Sequence, residues 1–100
     1  MGDRYGTVMV GRLKVPYRQL EEAGERWSRE RHPVGYLHQD VMLCDDGVTF
    51  VMSVFFDTEA NYKALADDPV QAEWYETVLR PMLDGEPQWF DGYWRATIEG

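Results

Sequence analysis

The segment that most constrains the fold spans residues 34–56, where two largely apolar stretches flank the sequence Asp45-Asp46-Gly47. Asp-Gly tolerates the positive φ angles that tight hairpin turns require. The flanking stretches are rich in β-branched and aromatic residues, which favour strands. We therefore predict a β-hairpin with one strand over residues 34–44 and the next over residues 48–56.

The rest of the chain supplies two more strands and two helical regions. Apolar residues alternate before Pro16, which suits the first turn of a helix, and helical spacing then continues until shortly before Pro33. Asp57 or Thr58 is placed to cap a second helical region, which Pro69 interrupts. The predicted elements are strands over 7–15 and 93–99, a first helix from Pro16, and a second helical region from Thr58 with a further stretch over 70–80. The order β-α-β-β-α-β is the ferredoxin-like arrangement, so we expect one α+β domain over residues 1–100 with a four-stranded antiparallel sheet whose first and third strands are central.

The hairpin register sorts the side chains onto two faces. A two-residue turn at Asp46-Gly47 places Leu43 opposite Phe50, whereas a three-residue turn would invert the faces. The face expected to pack under the helices carries Leu37, Val41, Leu43, Phe50, Met52, Val54 and Phe56. The opposite face carries Tyr36, His38, Asp40, Met42, Thr49, Val51, Ser53 and Phe55. Because contiguous apolar side chains on an uncovered face mark an interface, we expect a homodimer formed through that opposite face.

Charge and cysteine content narrow the partners. The chain has 18 acidic and 10 basic residues, a formal net charge of −8, which disfavours nucleic acid and anionic membrane partners. This charge also argues against an RNA-recognition module, although such modules share the strand order. The two histidines and the single cysteine, Cys44, have no metal-binding spacing, so neither a metal nor another cofactor is expected. A lone cysteine and the absence of a long apolar stretch near the start predict a cytoplasmic protein.

The last third of the chain carries a family resemblance. The residues concerned are Asp68-Pro69, Trp74-Tyr75, Leu79, Pro81, Leu83, Gly85, Pro87, Trp89 and Asp91-Gly92. They resemble the second helix and closing strand of uncharacterised bacterial members of the antibiotic-biosynthesis-monooxygenase-like group, within the dimeric α/β-barrel superfamily. The resemblance implies two sheets that form a closed barrel, with a ligand cleft between helices and sheet in each subunit. In the characterised branches it also implies cofactor-independent oxygenation of polycyclic aromatics, or haem binding and degradation.

The chain departs from the functional residues of both branches. The haem-degrading branch uses an Asn in the first strand, a Trp in the second helix and a His further along that helix. Here the only asparagine is Asn61, and both His32 and His38 precede the second helix. The cofactor-free oxygenases likewise use an Asn together with Trp residues. The sequence therefore does not predict haem degradation and does not supply a known catalytic set.

Three groups of side chains are candidate functional residues. His38 lies two residues from Asp40 on one predicted face, with Ser53 opposite Asp40, and a His beside a carboxylate can act as a general base. The alternative is a hydrogen-bonded polar patch in the dimer interface. Three aromatic residues on or near the second helix could form a pocket for an aromatic ligand or could simply fill the core, namely Tyr62, Trp74 and Tyr75.

Arg12 and Arg95 lie in strands predicted to be neighbours and could bind a substrate carboxylate, or could form surface ion pairs. Together these features favour a small-molecule-binding protein, and two functions remain open. The first is a monooxygenase-like enzyme that acts on an apolar or aromatic metabolite without a cofactor. The second is a non-catalytic structural or ligand-binding homodimer.

Overall fold

The computed structural model describes residues 3–100, which form four strands, three helices and two short helical turns. The helix over Pro69–Trp74 continues directly into a π-helical turn, Tyr75–Leu79, and a 3-10 turn, Arg80–Met82. The element bounds are β1 Arg4–Arg12, α1 Tyr17–Glu30, β2 Tyr36–Leu43, β3 Thr49–Phe56, α2 Glu59–Ala66, α3 Pro69–Trp74 and β4 Gln88–Trp94. This confirms the predicted ferredoxin-like α+β order.

The four strands form one antiparallel sheet in the order β2-β3-β1-β4, so β1 and β3 are central as predicted. The predicted hairpin register is confirmed, because Leu43 lies opposite Phe50 and Asp40 lies opposite Ser53. The turn is longer than predicted: the N–H of Cys44 donates to the carbonyl of Thr49 at 2.8 Å, which leaves residues 45–48 in the loop. Lengthening the loop by one residue on each side leaves the register, and therefore both faces, unchanged.

Two predicted strands are displaced along the chain. Strand β1 starts at Arg4 rather than residue 7, and beyond β1 only an isolated bridge joins Leu13 to Leu83. Strand β4 covers residues 88–94 rather than 93–99. Trp94 pairs with Arg4, the first residue of β1, so residues after Trp94 have no strand beside them within residues 3–100.

A β-bulge in β2 corrects the prediction for its first residues. The register shifts between Tyr36 and His38, so that Tyr36 and not Leu37 lies on the helix side. Tyr36 is buried against Trp27 and Phe56, whereas Leu37 is 45% exposed. A bulge inserts one unpaired residue, so side chains before the bulge point to the face opposite to the one that simple alternation predicts. The alternation of the sequence alone does not reveal where a bulge lies.

All three helices pack on one face of the sheet, which we call the covered face. Helix α1 buries Leu20 and Trp27 there, against sheet residues that include the fully buried Met9, Phe50 and Phe56. Side-chain oxygens of Thr58 and Asp68 cap α2 and α3. The opposite side of the sheet, the open face, carries the apolar residues Val8, Val10, Met42, Val51, Phe55 and Phe90. Among residues 3–100, no helix has the length and apolar character needed to cross a membrane.

Candidate ligand-binding site

A cavity of about 360 Å³ lies between the covered face and the helices. This volume lies in the range of about 300–1,000 Å³ that is usual for small-molecule sites. The sheet lines it with Thr7, Met9, Gln39, Met52, Val54 and Trp89. The helical side contributes Leu20, Ala23, Gly24, Trp27, Tyr62, Leu65, Ala66, Gln71, Ala72, Trp74, Tyr75, Glu76 and Leu79. The lining is therefore predominantly apolar and contains five aromatic side chains.

The aromatic side chains come from every layer around the cavity. The rings of Trp27 and Trp74 are 6.1 Å apart and tilted by 47°, which brings α1 and α3 together. The rings of Tyr75 and Trp89 are 5.9 Å apart, so the π-helical turn contacts β4. Trp89 is 48% exposed, which places it where the cavity meets solvent. Such rings offer flat apolar surfaces to a planar ligand.

The π-helical turn explains why adjacent residues both reach the cavity. The N–H of Arg80 donates to the carbonyl of Tyr75, five residues earlier, instead of following the α-helical spacing of four. The extra residue in the turn changes the angular position of the side chains, and Trp74, Tyr75 and Leu79 all line the cavity. Pro81 follows closely and has no N–H to continue an α-helical ladder, which is the sequence signal for an irregular turn here.

Hydrogen bonds hold the polar side chains of the cavity wall. The Trp27 indole N–H donates to Oε1 of Gln71 at 2.9 Å and so joins α1 to α3. Nε2 of Gln39 donates to the carbonyl of Gly24 at 3.4 Å, which joins β2 to α1. Within residues 3–100, no buried side-chain nitrogen or oxygen lacks a hydrogen-bond partner. The polar groups therefore stabilise the walls as well as interrupting the apolar surface.

Tyr62 lines the cavity, and its surroundings shift its pKa. Its hydroxyl donates to Oδ1 of Asp91 at 3.0 Å. Burial has the largest effect and raises the pKa of Tyr62 to about 12; a hydrogen bond with Thr7 comes next and lowers it, and the Asp91 carboxylate then raises it. The pKa of Tyr75 is also raised, first by burial and then by the charge of Glu86. Both phenols are therefore protonated at neutral pH.

The structure brings the three aromatic candidates together and separates the others from them. Tyr62, Trp74 and Tyr75 line the same cavity. His38 and Asp40 lie near each other on the open face, with Nε2 and Oδ2 3.7 Å apart, and the His38 ring stacks on Phe55 at 4.4 Å. Side-chain alternation along β2 thus directs the His38–Asp40 pair away from the cavity.

Arg12 and Arg95 do not converge. Arg12 is the last residue of β1, and its Nη1 lies 3.9 Å from Oδ2 of Asp46 in the hairpin loop. Arg95 follows Trp94, which pairs with Arg4 at the start of β1. Its Nη1 lies 3.2 Å from Oδ2 of Asp3. Both arginines form exposed ion pairs, the alternative that the acidic composition suggested.

Several cavity residues were not singled out from the sequence. Trp27 lies within the helix predicted after Pro16, but its hydrogen bond to Gln71 depends on how α1 packs against α3. Thr7 and Gln39 alternate with open-face residues, and this alternation is the signal that could have placed them on the covered face. Trp89 was missed because β4 was predicted too late in the chain. Within residues 3–100 no three His, Cys, Asp or Glu side chains are grouped closely enough to hold a metal ion.

Comparison with solved structures confirms the fold. A monooxygenase from the gene ActVA-Orf6 of Streptomyces coelicolor, in complex with nanaomycin D, superposes with a TM-score of 0.76 at 24% identity, over 98% of this chain and 92% of that one. SnoaB, a cofactor-independent oxygenase from Streptomyces nogalater, gives a TM-score of 0.74 at 15% identity, over 99% and 100% of the two chains.

A dimeric ferredoxin-like protein of unknown function from Thermobifida fusca gives a TM-score of 0.60 at 14% identity, over 94% of each chain. No protein-family model and no curated protein sequence matches this chain. The resemblance to antibiotic-biosynthesis-monooxygenase-like proteins that the last third of the sequence indicated is therefore confirmed at the level of the fold.

Proposed function

We propose that this protein is a monooxygenase-like enzyme that oxidises an apolar polycyclic aromatic substrate with molecular oxygen and without a cofactor. The observation that carries the proposal is the 360 Å³ cavity walled by Trp27, Tyr62, Trp74, Tyr75 and Trp89. The structurally similar oxygenase SnoaB is cofactor-independent, and the similar Streptomyces coelicolor monooxygenase was crystallised with nanaomycin D. Both support the proposal through a shared fold.

The chemistry requires a substrate that can itself reduce oxygen. An anthrone, with an acidic methylene group between two aromatic rings, is such a compound. The methylene carbon gives up one proton to a solvent molecule, which later returns a proton to the departing oxygen, and the electron-rich anion that remains transfers electrons to O₂. One oxygen atom becomes the new carbonyl oxygen and the other leaves as water, so that the methylene compound and O₂ give the quinone and water. The cavity would contribute by orienting the ring system and excluding bulk water.

Anthrone oxidation tests this proposal directly. We expect the protein to accelerate both oxygen uptake and anthraquinone formation above the uncatalysed rate. Ala23→Phe should block the reaction, because Ala23 lines the cavity and a phenyl ring there would occupy it. Ala60→Phe is the matched control, because Ala60 is exposed on α2 and does not line the cavity. No acceleration by the wild-type protein, or equal rates for both variants, would contradict the proposal.

The second candidate function is a non-catalytic ligand-binding homodimer. It is favoured by the absence of an asparagine in β1 and by the cavity hydrogen bonds that already pair Trp27 with Gln71 and Gln39 with Gly24. Stoichiometric binding of anthrone without any acceleration of its oxidation would favour this function over the enzyme.

We also propose that two copies associate through the open face. Met42 and Phe90 are each 56% exposed there, and Val8, Val10 and Val51 lie between them on adjacent strands. An apolar surface on the two central strands, which a second copy would bury, supports this arrangement. His38 and Asp40 would then lie in the interface. The lone Cys44 agrees with a reducing compartment, and we propose a cytoplasmic location.

Native mass spectrometry at low collision energy tests the association and reveals any small molecule that copurifies. We expect a dimer for the wild-type protein and a monomer for Val51→Lys, because a charge would then be buried in the apolar interface. Val70→Lys is the control: Val70 is 59% exposed but lies on α3, away from the open face. A monomeric wild-type protein, or a dimer that survives Val51→Lys, would contradict the proposed interface.

A further inference from the structure

Thr7, Tyr62 and Asp91 form a polar cluster at an otherwise aromatic wall of the cavity. Thr7 and Asp91 are directly paired residues of β1 and β4, and Tyr62 reaches them from α2. Thr7 is 3% exposed, and its hydroxyl donates to the carbonyl of Phe90 at 3.4 Å. Tyr62 and Thr7 line the cavity, whereas Asp91 does not. Tyr62 therefore joins the cavity wall to a carboxylate outside it.

The direction of the Tyr62–Asp91 hydrogen bond determines what Tyr62 can offer a ligand. A carboxylate only accepts, so the single hydroxyl hydrogen of Tyr62 is committed to Asp91. The Tyr62 oxygen can then act toward a ligand only as an acceptor, in competition with the Thr7 hydroxyl, which lies within reach of both the Phe90 carbonyl and Tyr62. Donation to a charged acceptor also polarises the hydroxyl and makes its oxygen a stronger acceptor. Among residues 3–100, no lysine or arginine forms a salt bridge with Asp91 that would weaken this effect.

We propose that Tyr62, held by Asp91, accepts a hydrogen bond from a ring hydroxyl of the ligand, so that the cavity selects phenols and enols over ethers and bare hydrocarbons. The inference rests on the proposed function in one respect, namely that the cavity is a ligand site. Tyr62 is the group that contacts the ligand, and Asp91 is a positioning residue. The raised pKa of Tyr62 agrees with a hydroxyl that keeps its proton while it accepts.

Other acceptors on the cavity wall compete with Tyr62, although some of them already have a partner. Oε1 of Gln71 already accepts from Trp27. The Glu76 carboxylate is paired with Arg80 at 3.1 Å. Gln39 uses Nε2 as a donor to Gly24, which leaves its Oε1 free to accept, and the Thr7 hydroxyl oxygen is a further acceptor in the lining. Gln39 must therefore be tested alongside Tyr62.

The chain offers a matched control for Tyr62. Tyr93 also donates its hydroxyl to a carboxylate, that of Glu59, and this bond likewise joins β4 to α2. Tyr93 is 46% exposed and does not line the cavity. Removing the Tyr93 hydroxyl therefore breaks an equivalent hydrogen bond between α2 and β4 without removing a group from the ligand site.

The experiment compares the binding of 9-phenanthrol and 9-methoxyphenanthrene, followed by quenching of tryptophan fluorescence. We expect the wild-type protein to bind the phenol about tenfold more tightly than the ether, the ratio typical of one hydrogen bond. Tyr62→Phe should remove this preference while leaving the affinity for the ether unchanged, which also shows that the site is intact. Tyr93→Phe and Gln39→Leu should retain the preference.

Asp91→Asn provides a second variant in case Tyr62→Phe perturbs the fold. It preserves the Tyr62 hydroxyl but removes the charge behind it, so the preference should fall without disappearing. A preference that persists in Tyr62→Phe, or one that Gln39→Leu abolishes, would overturn the inference. Equal binding of both compounds to the wild-type protein would overturn this inference alone. Failure of both compounds to bind would overturn it together with the proposed function.

Discussion

The two faces of the sheet are built from alternate residues of the same strands, yet they differ in what they can do. Along β1, Thr7 and Met9 point to the helices, and Val8 and Val10 point away from them. Helices cover one face incompletely and leave a cavity, whereas the other is an exposed surface of neighbouring apolar side chains. A concave apolar site binds a small molecule, and a broad apolar surface binds another sheet. The comparison shows that aromatic content alone does not locate a binding site.

The largest expected effect is on stability. Phe50 is fully buried on the covered face, so Phe50→Ala should lower the free energy of unfolding by about 3–5 kcal/mol. Phe90→Ala on the open face should cost less than about 1 kcal/mol, because the side chain is 56% exposed. Urea unfolding of both, in the Val51→Lys background to remove association, checks the contrast. Similar losses of unfolding free energy in Phe50→Ala and Phe90→Ala would contradict the distinction between the two faces.

A smaller effect on stability is expected from the hydrogen bond between Trp27 of α1 and Gln71 of α3. Trp27→Phe removes the donor to Gln71 and leaves the Gln71 oxygen unpaired, at a cost of about 1–3 kcal/mol. Adding Gln71→Leu removes the unpaired oxygen as well and should recover part of the loss. The four proteins of this double-mutant cycle are compared by urea unfolding. Strictly additive losses would show that the bond contributes nothing beyond the separate side chains.

Loss of ligand affinity should also distinguish the two faces, with an effect of about the same size as that of the hydrogen bond between α1 and α3. Trp74→Ala removes a ring from the cavity wall and should weaken binding of 9-phenanthrol about tenfold. His38→Ala should leave this affinity within about twofold, because His38 lies on the open face against Phe55. Fluorescence titration measures both. A large effect of His38→Ala would transfer the ligand site to the open face.

The smallest effect concerns acid stability of the hairpin loop. The Thr49 hydroxyl, followed by the Thr49 and Val48 N–H groups, lowers the pKa of Asp46 from 3.8 to about 2. The stabilisation is therefore present above about pH 4 and is lost as the pH falls toward about pH 2. Asp46→Asn should remove this component of the acid dependence, measured as the unfolding midpoint against pH. An unchanged acid limb would contradict the role of Asp46.

The sequence predicted the order of elements and the hairpin register because both follow from local patterns, namely the Asp-Gly turn and the alternation around Phe50. It misplaced Leu37 because a bulge inserts a residue without a compositional signal. It placed β4 too late because the limit of that strand is set by Arg4 at the far end of the chain. Tyr62, Trp74 and Tyr75 were grouped from the sequence because all three lie on or near the second predicted helix, and all three line the cavity. Asp91 was not identified as a partner of Tyr62, because 29 residues separate them and only tertiary packing brings them together.

Methionine methyl groups report on the two faces most directly. Met9 and Met52 line the cavity, and Met42 lies on the open face at 56% exposure. NMR spectra of protein labelled with ¹³C in its methionine methyl groups can be recorded during a titration with 9-phenanthrol. We expect saturable shifts of the Met9 and Met52 methyl signals, with the Met42 signal unchanged. Shifts of Met42 alone would place the ligand on the open face and contradict the central claim.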